Sequence, residues 1–185
     1  EIFQPVKTDI HLGQYYLGKM DYFYFFFHLA FNMLSPHGVA TFITTNYYPT
    51  ALGARKLRAD IKDRMSVKTL FNLGELRLFE NAPGQHNMIS SFAKGKDGCK
   101  CQVIDVHKKG ALNPIMFASI INHIDEDTTY ADVAQEDLYD GEENYIRLQN
   151  SSGDNPLSSL LDKIQLRNNT LGNIAEVNAG IMGGC

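Results

Sequence analysis

Residues 18–49, GKMDYFYFFFHLAFNMLSPHGVATFITTNYYP, decide how the rest of the chain is read. Met20 to Leu34 is almost wholly apolar and carries six consecutive aromatics, Tyr22 to Phe27. Ser35-Pro36-His37-Gly38 ends that run, and the β-branched stretch Val39 to Thr45 follows. A helix apolar all round is a buried helix, and a Pro/Gly stop before such a stretch reads as helix, turn, central strand. The pattern is half of an α/β repeat.

Working outward, Asn46-Tyr47-Tyr48-Pro49-Thr50 is a capping stretch with a proline placed to start a helix over Thr50 to Met65. Ala54, Leu57, Ile61 and Met65 recur there at three- and four-residue spacing, a stripe facing a core. Arg55, Lys56, Arg58, Lys62 and Arg64 fill the remaining face, which is either merely solvated or turned to a polyanion. Val67 to Leu73 and Asn87 to Ala93 read as strands. The connection Gly74 to Gln85 holds no helix, so the two form an antiparallel hairpin. Cys101 to His107 is a further candidate strand. Before this core, Glu1 to Leu17 has no clear period, and a start at Glu1 fits a segment of a longer polypeptide.

Beyond Asn113 the character changes. Pro114 to Ile124 reads as a short helix. Asp125 to Glu143 holds nine acids and no base, the composition of a surface linker. Tyr145 to Leu148 is strand-like, and Pro156 to Leu166 has helical spacing. Thr170 onward reads as a strand and turn of a new domain. The expected fold class is α/β, a partial Rossmann-like sheet ending in an antiparallel β-hairpin, followed by a linker with short helices. The expected divisions are 1–110, 111–169 and 170–185.

The chain has 185 residues, 44% hydrophobic and 21% charged, ample for a core. Met20 to Leu34 is too short to span a bilayer and is interrupted by Asp21, His28 and Asn32, so no membrane is expected. Cys99, Cys101 and Cys185 make no disulfide framework. Cys-x-Cys with His107 lacks a fourth ligand at metal spacing, so no metal is expected and the cytoplasm is the default location. Up to Gly110 there are 14 Lys/Arg against 9 Asp/Glu, and from Ala111 there are 3 against 12. That asymmetry fits a first half facing a polyanion, or two ordinary solvated surfaces.

Six short motifs in order resemble the adenine-N6 DNA methyltransferases of type II restriction–modification systems, especially single-chain, type IIG-like ones. They are Gly18-Lys19-Met20-Asp21-Tyr22, Met33-Leu34-Ser35-Pro36-His37-Gly38, Ile43-Thr44-Thr45-Asn46, Lys56-Leu57-Arg58, Gly74-Glu75-Leu76-Arg77-Leu78-Phe79 with Ala82, and Asn87-Met88-Ile89. His37 and Thr45 stand where that family usually has glycine and proline. The segment from Leu171 also resembles the opening of its target-recognition domain.

The resemblance implies methyl transfer from S-adenosylmethionine to adenine N6 in double-stranded DNA, with the base flipped from the helix. The family's cofactor motifs and its catalytic Asn-Pro-Pro-Tyr precede the region matched. The resemblance therefore implies no catalytic residue and no cofactor site in this chain, and an upstream half of the same polypeptide as partner. This chain alone is expected to be inactive. Phe79 falls where the family stacks an aromatic on the flipped base, the role favoured here; the alternative is that it caps the core. Asn46 and Tyr47 follow the carboxyl end of a strand, where α/β sheets bind ligands, although Asn46 could instead cap a helix. Gln85, His86, Asn87, Arg55, Lys56 and Arg58 are DNA-contact candidates. Two other classes fit the same residues: a non-catalytic DNA-binding or scaffold module, and a methyltransferase acting on RNA or protein glutamine.

Overall fold

The computed structural model describes residues 3–81, 84–148 and 174–176. The elements all lie in one compact unit, Glu1–Gln149. Helix α1 (Gln4–Lys7) precedes α2 (Tyr24–Met33), β1 (Val39–Thr45), α3 (Arg55–Arg64) and β2 (Met65–Asn72). Then come β3 (Leu76–Arg77), β4 (Asn87–Lys94), β5 (Cys101–Val106), β6 (Gly110–Ala111) and α4 (Pro114–Ile121). Strand β7 (Thr128–Val133) and the small pair β8 (Tyr139–Asp140) and β9 (Tyr145–Ile146) end the unit. The helix expected at 156–166 and nearly all of the strand expected from Thr170 lie outside the described residues.

The molecule is mixed α/β. Its five-stranded sheet runs β1-β4-β2-β5-β7. Strand β4 is antiparallel to both β1 and β2, with Ile43 opposite Ile89 and Phe71 opposite Ile89. Strand β5 is parallel to β2, and β7 is antiparallel to β5. The carboxyl ends of β1, β2 and β5 therefore share one end of the sheet.

Period-2 alternation divides the sheet's side chains between two faces. Phe42, Phe92, Leu70 and Val103 join the core formed with Tyr24, Phe27 and Phe31 of α2 and Leu57 and Ile61 of α3. Phe27 stacks on Phe42 at 4.1 Å and 12°. On the other face Phe71, Ile104 and Val106 pack with Leu73, Leu76 and Ile120 of α4. Ala54, Leu57, Ile61 and Met65, the stripe seen in the sequence, are all buried.

Three expectations need correction. Strand β1 was expected to be central; among the described residues it is an edge, with Val39 and Ile43 more than half exposed. An apolar β-branched run demands cover on two faces, but which strands flank it depends on pairing and cannot be read from its composition. Helix α2 is not buried all round: Phe26, Leu29 and Met33 form an exposed stripe. The acidic stretch is not a plain surface linker, because Thr128–Val133 pairs with β5 over its whole length. The buried Asp125 next to it accepts from Lys108 and, at 2.6 Å, from Thr128 Oγ1, so its charge is neutralised inside the fold. Gln135 further on acts as a substitute strand. Its Oε1 accepts the Val67 N–H at 2.9 Å, and its Nε2 donates to the carbonyls of Val67 and Cys99 at 2.8 and 3.0 Å. Those bonds lie beside the irregularity that breaks the β2–β4 register between Val67 and Thr69.

Two local features explain the short helices. Helix α2 starts four residues later than expected because Lys19 takes a left-handed φ of 57° and the residues that follow form turns. A Cβ on Gly53, just before α3, would stand 2.0 Å from the Lys19 carbonyl oxygen, so only glycine lets the two backbones touch. The Gly18-Lys19-Met20 motif and the start of α3 are thus one packing unit. His37 also has a left-handed φ, 63°, which gives a physical reason for the glycine common at that turn in the resembling family.

Candidate functional site at the carboxyl ends of the parallel strands

Each of the three co-directional strands finishes, at or next to its last residue, in a polar side chain: Asn46 just past β1, Asn72 ending β2 and Asp105 in β5. They are joined in series. Asn46 Nδ2 donates to Asn72 Oδ1 at 2.9 Å, and Asn72 Nδ2 donates to Asp105 Oδ1 at 2.7 Å. Backbone bonds hold the series at Asn46 and at its middle member, Asn72. Asn46 N–H donates to the His86 carbonyl at 3.0 Å, and Gly74 N–H donates to Asn72 Oδ1 at 3.3 Å. Parallel strands place these ends side by side, where open α/β sheets bind ligands.

His86 Nδ1 lies 2.9 Å from the Gly74 carbonyl. A carbonyl only accepts, so Nδ1 carries the proton and Nε2 of the neutral ring is an acceptor. Beside these groups a cleft of ≈ 330 Å³ is lined by Asn72, Gly74, His86 and Asp105, with Lys108 and Lys109 at its rim. Gly74 has φ 53°, and a Cβ there would stand 2.8 Å from the Val106 carbonyl oxygen, so the wall of the cleft sits directly on the end of β5. Lys109 pairs with Glu75 at 2.9 Å and holds that carboxyl below its ordinary range.

The residues expected to meet the target base lie at this end. Asn46 is half-buried, Tyr47 is exposed, and Phe79 is 48% exposed on the loop from β2 to β4. Gln85 is exposed and His86 is half-buried. Asn87, another contact candidate, is 4% exposed, with Nδ2 turned to the Gln85 carbonyl at 3.4 Å; it belongs to the interior.

The basic face of α3 is largely occupied within the fold. Arg58 is fully buried: Nη1 donates to the carbonyls of Tyr48 and Ala51 at 3.0 and 2.6 Å, and Nε to that of Glu143 at 3.1 Å. It also lies over the Tyr145 ring, 4.6 Å from its centroid. Burial presses its ionisation downward, and these acceptors compensate for lost water. That removes Arg58 from the DNA-facing surface. Lys56 Nζ donates to the Gln14 and Tyr16 carbonyls, tying the amino-terminal segment to α3. Arg55 remains half-exposed in a 3.2 Å pair with Glu143.

His28 is a core residue, not a ligand. It is fully buried, stacked on Tyr15 at 3.7 Å, with Nδ1 2.6 Å from Asp60. Burial pushes its ionisation down more than Asp60 raises it. Burial works against the Asp60 carboxylate too, yet His28 and Arg64 hold it below the usual range. Among the described residues no group of three or more His, Cys, Asp or Glu could hold a metal, and no helix is long and apolar enough to cross a membrane. Burial pushes the Cys101 thiol up to about 12, which leaves it inert.

Asn72 and Asp105 were not singled out in the sequence. The available signal was weak: a polar residue closing an apolar strand, which by itself reads as the start of a turn.

Residues 6–79 match the family of Eco57I restriction-modification methylases. The matched segment contains the Gly53–Lys19 contact, β1 with Asn46, α3, β2 with Asn72, and the loop as far as Phe79. The match supports a restriction–modification methyltransferase. No curated protein matches the chain.

Proposed function

We propose that this chain is the target-base side of an adenine-N6 DNA methyltransferase in a type II, single-chain restriction–modification system, with S-adenosylmethionine as methyl donor. The observation that carries the reading is the family match, which begins in α1 and ends on Phe79, a half-exposed aromatic beyond the carboxyl end of β2. The sheet supports it: a strand antiparallel to its neighbours, β4, lies between co-directional β1 and β2, as in a partial Rossmann-like methyltransferase sheet.

Methylating an adenine within a duplex requires swinging the base out and holding it between flat side chains. Tyr47 and Phe79 offer such faces. Asn46, whose Nδ2 is committed to Asn72, keeps Oδ1 as an acceptor for the base edge. Gln85, His86 and the exposed Arg55 are the remaining candidates for contact with duplex DNA. S-adenosylmethionine, when bound, supplies the electrophilic methyl group. The resemblance implies that its pocket lies in an upstream half of the same polypeptide. That half would also cover the open edge of β1 and the Phe26, Leu29 and Met33 stripe, since apolar edges left bare invite aggregation.

The test is to incubate the polypeptide containing this chain with labelled S-adenosylmethionine and, separately, duplex DNA, RNA and protein. Label recovered as N6-methyladenine in DNA is the expected result. Label on cytosine, RNA or glutamine, or none, refutes it.

A further inference from the structure

We propose that the cleft at the ends of β2 and β5 is a second nucleotide subsite, selective for a base that presents an exocyclic amino group. The proposal rests on the nucleic-acid reading above for the source of the nucleotide. It concerns residues other than the Tyr47 and Phe79 wall.

The floor of the cleft is Asp105, 8% exposed. A carboxylate offers about four acceptor positions. Among the described residues Asp105 receives one hydrogen bond, from Asn72 Nδ2 to Oδ1. Its Oδ2 accepts from no group among the described residues and is left for a donor in the cleft. The orientation of Asn72 is fixed, because its Oδ1 already accepts from Asn46 Nδ2 and the Gly74 N–H. His86 with its ring neutral adds a second acceptor, Nε2, because Nδ1 then donates to the Gly74 carbonyl. Both acceptors belong to residues lining the same ≈ 330 Å³ cleft. Phosphate or a carboxylate cannot satisfy them, since each brings only acceptors. An amino-bearing base edge does, as when Asp accepts from the cytosine amino group.

The rim supplies the complement. Lys108 is not free: it is held by the buried carboxylate of Asp125. Among the described residues Lys109 is held by Glu75 alone, in a pair whose side chains are 74% and 54% exposed. Exposed pairs of this kind bind weakly, so Lys109 can turn to a phosphate. An accepting floor and one available cation at the rim fit a nucleotide, base inward and phosphate outward.

The test is an NMR titration of the ¹⁵N-labelled full chain with dCMP, dUMP, dGMP and dIMP. dCMP and dGMP should move the amides of Asn72, Gly74, His86 and Asp105. dUMP and dIMP, which lack the amino group, should bind about 10-fold more weakly, the discrimination expected of a paired base edge. Asp105→Asn, similar in shape and still able to accept from Asn72, should abolish the preference of dCMP over dUMP. Lys109→Ala, at the exposed rim, should weaken dCMP while leaving deoxycytidine unaffected. Equal binding of dCMP and dUMP, shifts confined to other parts of the chain, or no shifts at all overturn the proposal. Should Asp105→Asn fail to fold, the four nucleotides on the unaltered chain and Lys109→Ala still decide it. A polypeptide that methylates no DNA would sink the proposed function and leave this titration standing. An active methyltransferase with a silent cleft would sink the subsite alone.

Discussion

Replacing Phe79 with alanine separates two roles that the sequence leaves open. A fully buried phenylalanine costs ~3–5 kcal/mol when cut to alanine. Phe79 is 48% exposed, so a packing role caps the loss at ~2 kcal/mol, about half the buried value. If instead its ring supports an extruded base, the loss of stacking is ~1–3 kcal/mol and appears in base capture, not in folding. At about 1.4 kcal/mol per decade, that is a drop of roughly one to two decades in the methylation rate. Binding to duplex before extrusion should hardly change, because backbone contacts dominate it. The assay uses the full polypeptide with 2-aminopurine at the target position, following fluorescence, methylation rate and melting temperature. The expected result is a near-normal melting temperature, a weak fluorescence rise and slow methylation. A destabilised protein whose folded fraction still extrudes and methylates normally refutes the stacking role.

Acid should weaken the contact between α2 and α3. His28 is depressed by burial and therefore neutral when folded, whereas the unfolded ring titrates near ~6.5, so its contribution is complete above that pH and is lost as pH falls below it. Asp60, also depressed on balance, adds a loss further down, through its own folded value. Melting temperature should fall from about pH 7.5 to about pH 5, less so in His28→Gln; a flat profile contradicts the assignment. His37→Gly should stabilise by up to ~1 kcal/mol, read from urea unfolding, because it relieves a left-handed φ; a loss of stability would mean the His37 side chain matters more than its backbone. Gly53→Ala should cost ~1–3 kcal/mol or prevent folding, since its Cβ meets backbone and not a movable side chain; a wild-type urea midpoint would contradict the close approach to Lys19. Gln135→Ala should cost ~2 kcal/mol by stranding the N–H and carbonyl of Val67, and hydrogen exchange at Val67 should accelerate; unchanged exchange rules out the substitute-strand role.

Much of the fold was legible because its periodicities are local. Strand β1 spans the Val39–Thr45 run read from the sequence, and the Ala54, Leu57, Ile61, Met65 stripe is buried as its spacing requires. What was not legible depends on partners distant in sequence. Arg58 sits among charged neighbours, and the carbonyls that allow it inside come from Tyr48 and Ala51 before the helix and from Glu143, 85 residues later. Asp125 looks like one more linker acid until Lys108 is placed on it. The same holds for the site. Asn46 and Tyr47 were accessible from strand-end logic, whereas Asn72 and Asp105 acquire meaning only when three strand ends are set side by side.

The central claim is that the carboxyl ends of β1 and β2 face the target base. Photocrosslinking tests it most directly, with 5-iodouracil placed at the methylated position of a duplex bound to the full polypeptide and the attachment site mapped by mass spectrometry. The account predicts attachment at Tyr47 or Phe79, at the end of the sheet that carries Asn46 and His86. Attachment confined to the outer face of α3 or to α4, with none on those loops, would contradict it.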